Sequence, residues 1–128
     1  MQKFFLLTGS ALGALSVMIG AFGAHALKSS LESTGRLETF ETAVKYQFYH
    51  VLALLVLGLL LSKFDHRLLN YAGYSFIVGI VIFSGSLYLL CLTNVGKWGA
   101  VTPIGGLFLI AGWVLLFLGI LKGQAGLD

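Results

Sequence analysis

Tyr46-Gln47-Phe48-Tyr49-His50 stands at the entrance to the wholly apolar run Val51 to Leu61, and its reading decides the fold. That run is 11 residues long, whereas a helix needs about 20 residues to cross a hydrocarbon core of ~30 Å. A crossing must therefore recruit residues back to about Thr42. The span then covers about 42–62 and carries Tyr46, Gln47 and His50 into the membrane. At ~1.5 Å per residue, His50 lies roughly 18 Å from Ser62 along the helix axis, far below the opposite headgroups. Thr39, Ala43, Tyr46, Gln47 and His50 share one helical face, while Glu41, Lys45 and Phe48 lie on another, where Lys45 can snorkel.

The rest of the chain agrees with lipid as its main solvent. Of 128 residues, 58% are apolar and only 10% charged, against roughly 25% charged in a globular domain. Length and composition fit one integral-membrane domain over 1–128. The net charge of +3 is dispersed over short connections. It suits anionic headgroups, and without a basic stripe no nucleic-acid partner is expected. The single cysteine, Cys91, forms no internal disulfide.

Upstream, Phe4 to Ala24 is an uncharged run of 21 residues. Ala24-His25-Ala26 matches a signal-peptidase pattern, but a signal peptide's apolar region is only ~7–15 residues long. The run reads as a retained span. Gly9, Gly13, Ser16, Gly20 and Gly23 lie on one face, which should pack against another helix, because close backbone approach drives association in lipid. Between His25 and Lys45, Ser33 or Thr34 can cap a new helix. Leu37, Phe40 and Val44 then repeat at helical spacing, and Glu41 and Lys45 can pair, giving an amphipathic connection at the interface.

Downstream, 63–67 reads as a turn and about 68–92 as a third span, with Ala72, Ser75, Gly79 and Ser86 on a small face. Trp98 in the next connection is a candidate interface anchor. Thr102 as N-cap and Pro103 as first helical residue open a fourth span over about 102–121. There, Gly105, Gly112 and Gly119 recur every seven residues. The fold expected is an all-α membrane protein, an antiparallel four-helix transmembrane bundle with the amphipathic connection between spans one and two. Small faces on three spans exceed what one bundle must bury, so a homo-oligomer is expected.

Four spans place both termini on one side. Lys3, Lys63, Arg67 and Lys122 fall on that side and Lys28, Arg36, Lys45 and Lys97 on the other. The terminal-side charges sit closer to span ends, which points to cytoplasmic termini. Direction of travel gathers the polar motifs in the opposite half: His25, Tyr46, Gln47, His50, Ser84, Ser86 and Tyr88. An ionisable group within the membrane is by default a candidate site. These residues either line a polar pocket for a small ligand, lipid or ion, or hydrogen-bond neighbouring helices and fix their register. Two histidines on one side do not complete a metal site, and no metal or cofactor is expected. All five acids, Glu32, Glu38, Glu41, Asp65 and Asp128, are read in loops or tails. With no buried carboxylate to orient a base, no enzyme is expected.

Five blocks, Gly20-Ala21-Phe22-Gly23-Ala24-His25, Tyr46-Gln47-x-x-His50, Phe83-Ser84-Gly85-Ser86-Leu87-Tyr88, Thr102-Pro103-Ile104-Gly105-Gly106 and Gly112-Trp113, run in order along nearly the whole chain. Together they resemble the DUF423 family, small proteins of the bacterial inner membrane grouped with transmembrane protein 256 of animals. The resemblance implies a four-span inner-membrane protein. It brings no catalytic or binding residues, because the family name itself declares an unknown function.

Overall fold

The computed structural model describes residues 1–125. Its elements are α1 (Gln2–Ala24), α2 (Lys28–Ser33), α3 (Leu37–Leu60), β1 (Phe64–Asp65), α4 (Arg67–Thr93), α5 (Lys97–Lys122) and β2 (Gln124–Ala125). Among the described residues, α1, α3, α4 and α5 are the four helices long and apolar enough to cross a membrane. They form an antiparallel bundle in which α1 packs on α3, α3 on α4 and α4 on α5. One core runs through all four, with Phe5, Leu54, Leu57, Leu69 and Phe76 fully buried and Leu109 and Leu116 nearly so.

Small residues set how closely the helices approach. On α1, Gly9 faces Leu55, Gly13 faces Val51, Gly20 faces Val44 and Gly23 faces Phe40, so the expected small face is the contact with α3. On α5, Gly119, Gly112 and Gly105 meet Leu69, Phe76 and Phe83 of α4. Each set steps by seven residues in opposite directions, the signature of an antiparallel heptad seam. Gly105 lies directly against the backbone of Phe83. From the α4 side, Gly79 meets Leu109, while Ser75 donates a hydrogen bond of 2.9 Å to the Phe108 carbonyl. The small faces of α1, α4 and α5 are thus filled at these glycines by contacts within the chain, so they do not by themselves call for a second copy.

Three local readings are corrected. Ser33 and Thr34 do not cap α3. They close α2, with Thr34 as its C-cap. Gly35 then turns left-handed at φ 70°. The Gly35 and Arg36 N–H groups reach back to the Glu32 and Leu31 carbonyls at 3.2 and 2.8 Å, a Schellman ending that only a residue tolerant of positive φ makes cheaply. Glu38 and Glu41 consequently sit in the first turns of α3 and Glu32 in α2, rather than in loops; Asp128 lies outside the described residues.

Second, α5 starts at Lys97 with Gly96 as N-cap, so Thr102 and Pro103 are inside the helix. The proline has no N–H for the Gly99 carbonyl. The helix tolerates this near its start, where the Thr102 hydroxyl lies 3.2 Å from the Trp98 carbonyl. Trp98 is half-buried against the cluster of Ala43, Leu87 and Leu90. Third, the 63–67 turn contains β1, paired antiparallel with β2, and Arg67 already belongs to α4. The His66 imidazole caps that helix by accepting the Leu68 N–H at 3.1 Å.

Candidate functional site: polar clips between the helices

Gln47 is the hub. It is 3% exposed on α3, and its side-chain amide donates to the Leu12 carbonyl of α1 at 3.1 Å. Its other atom, Oε1, accepts the Tyr88 hydroxyl of α4 at 2.6 Å. One side chain therefore ties three spans. One turn away, the buried Ser84 hydroxyl donates to the Ala43 carbonyl at 2.7 Å, joining α4 to α3 a second time. The alanine matters here because a larger side chain at 43 would hold α4 off its carbonyl.

Ser86 links α4 to α5. Its Oγ is 2.6 Å from Thr102 Oγ1 and 2.9 Å from the Phe83 carbonyl. With the Thr102 contact to Trp98, two hydroxyl hydrogens serve three contacts, a short shared chain rather than isolated bonds. Thr102 can make this link because α5 starts a full turn earlier than its sequence suggests.

His50 bridges α3 and α5. The Tyr46 carbonyl, 2.7 Å away, requires a hydrogen on Nδ1. The Trp113 indole N–H donates to Nε2 at 3.0 Å. Both nitrogens are satisfied by the neutral Nδ1–H tautomer, which leaves no free lone pair for a metal. The Tyr46 ring lies on the same side, stacked over His50 with centroids 6.2 Å apart. It is exposed and also stacks on Phe83 with centroids 4.8 Å apart. Tyr46, His50, Phe83, Gly106 and Trp113 border a cleft of about 360 Å³ on the flank between α3 and α5. His25 stands apart, exposed at the C-cap of α1 with no side-chain partner among the described residues.

Of the seven residues singled out in the sequence, six thus lie at contacts among the spans, grouped as Gln47 with Tyr88, Ser84 with the Ala43 carbonyl, Ser86 with Thr102, and His50 with Tyr46 and Trp113. Sequence reasoning missed Trp113 and Thr102. The available signal was the seven-residue step of glycines on α5, which places Trp113 beside the seam at Gly112.

The sequence profile of the family described as "Protein of unknown function (DUF423)" matches residues 19–106. The chain belongs to the DUF423 family. Among its relatives, a UPF0382 membrane protein of Staphylococcus haemolyticus is 43% identical over 121 residues, covering 94% of this chain and 98% of its own length. The UPF0382 membrane protein YwdK of Bacillus subtilis is 37% identical over 122 residues, covering 94% and 98%. The UPF0382 inner membrane protein YgdD of Escherichia coli is 33% identical over 121 residues, covering 94% and 92%. No solved structure gives a significant match. This DUF423 chain is an integral membrane protein: its relatives carry that description and its four long helices have the length and apolarity to span. The DUF423 match contains the Gln47, His50, Ser84, Ser86 and Tyr88 clips, and ends before Trp113.

Proposed function

We propose that the protein is a non-enzymatic helix-bundle module that works by association in the membrane, with a second copy or another membrane protein packing on α1. The observation behind this reading is the outward face of α1. It is the least covered of the four spans, with 17% of its most apolar window buried against 44% for α3 and for α4. Ser10, Ala14 and Ala21 are exposed there on one stripe. Small residues permit close approach of a second helix in lipid. Gln47, His50, Ser84, Ser86 and Tyr88 are engaged with one another, with Thr102 and Trp113 or with backbone carbonyls, in keeping with a structural rather than a catalytic role.

Chemical cross-linking in native membranes tests this reading. The wild type should give an oligomer or hetero-complex band, and Ala14→Leu with Ala21→Leu should abolish it. A wild type that stays monomeric overturns the proposal. A second reading is supported by the cleft beside His50, which would take a small lipid-soluble ligand. Native mass spectrometry of wild type and His50→Leu decides it. A bound mass lost only in the variant favours the ligand, and ligand-free protein in both favours the clip.

A further inference from the structure

At the end of the bundle where α2 lies, the surface between α1, α2 and α3 holds an open groove of about 490 Å³. Its floor is apolar, formed by Gly20 and Gly23 of α1 and by Phe40 and Val44 of α3. Phe40 seats directly against Gly23, where a Cβ would overlap its ring, and Val44 lies against Gly20, so the floor is the packed seam between the two helices. The rim is charged. Lys28 from α2 and Lys45 and Glu41 from α3 border the same groove, and all three are exposed.

We infer that this groove binds an anionic phospholipid of the phosphatidylglycerol type, with its phosphate between Lys28 and Lys45 and an acyl chain along the apolar lining of Leu37, Phe40 and Val44. Two features select that class. The groove combines an apolar channel with a charged rim at one end of the spans, as a headgroup with its chain requires. Its two cations and one anion leave an excess of one positive charge, which matches the single negative charge of a phosphodiester with an uncharged headgroup. Phosphatidylcholine is net neutral and leaves that excess unmet. Each lysine near a membrane surface strengthens anionic-lipid binding by about fivefold.

Native mass spectrometry from mixed micelles holding equal phosphatidylglycerol and phosphatidylcholine tests the site on the full chain. The wild type should retain phosphatidylglycerol over phosphatidylcholine by about fivefold or more. Lys28→Gln with Lys45→Gln should retain the two equally, and Glu41→Gln should raise the preference. Lys3→Gln with Lys122→Gln, at the other end of the bundle, should leave it unchanged. Equal retention by the wild type overturns the inference, as does a lysine pair whose loss changes nothing. An equal fall in the Lys3 and Lys122 variant would show general surface charge and overturn the groove. If the Lys28 and Lys45 variant does not fold, Glu41→Gln alone decides, and a preference that fails to rise counts against the site.

Discussion

Gly105 and Gly106 are neighbours with opposite tolerances, and the contrast isolates what a single hydrogen-to-methyl change does here. A Cβ on Gly105 would run into the Phe83 backbone, which has no rotamer by which to yield, whereas a Cβ on Gly106 would stop 3.8 Å from the Phe83 ring. Gly105→Ala should destabilise by about 1–3 kcal/mol through overpacking. Gly106→Ala should be neutral or stabilising by up to ~1 kcal/mol, since alanine is the better helix former. Thermal unfolding in detergent, followed by helical circular dichroism, reads both. Gln47 offers the second residue test. Gln47→Leu breaks the links to Leu12 and Tyr88 and strands the Tyr88 hydroxyl in the interior. A double-mutant cycle with Tyr88→Phe should give a coupling of about 0.6–2 kcal/mol. Zero coupling would mean that the two side chains do not meet.

At the scale of the helices, the register of α4 on α5 is fixed twice, by apolar contacts at each glycine of the heptad and by the Ser86 to Thr102 link. A slip by one residue would turn every glycine out of the seam, so the two helices dock in one register. In a Cys91→Ser background, Ser86→Cys with Thr102→Cys should form an intramolecular disulfide on mild oxidation. Ser75→Cys with Thr102→Cys should not, because Ser75 meets Phe108, further along α5. The reverse pattern, seen on non-reducing gels after protease cleavage between the helices, would show a different register. The connections obey the same logic. Arg36 Nε–H donates to Asn94 Oδ1 at 3.0 Å, joining the α2–α3 turn to the α4–α5 turn, and Asn94 itself holds the left-handed φ of 55° that ends α4.

For the whole molecule, the order of packing leaves α1 and α5 as the outer helices, with exposed apolar side chains such as Leu7, Val17 and Phe22 on one and Leu107, Phe117 and Leu121 on the other. In a bilayer the α5 face meets acyl chains, while the α1 face is the one proposed to take a second helix. Trp113 sits near the middle of α5 and is 47% exposed. In a Trp98→Phe protein reconstituted with brominated lipids, its fluorescence should be quenched most by bromines deep in the acyl chain. Strongest quenching by shallow bromines would contradict the spanning placement. Much of this architecture was legible in the sequence. Uncharged runs with the length of a hydrocarbon core demand helices, since backbone polar groups in lipid must be paired within their own segment. Glycine spacing likewise marks which faces approach closely, because it depends only on helical geometry. What the sequence did not determine was which partner each face takes. The heptad glycines of α5 read equally well as an oligomer contact until α4 is seen to fill them. Thr102-Pro103 read as a helix start because local propensity favours one, but Lys97–Val101 extends the helix and brings Thr102 level with Ser86. His50 was conspicuous as an imidazole in an apolar span. Its partner, Trp113, lies 63 residues away, and only the packing of α3 against α4 and of α4 against α5 brings the two rings together.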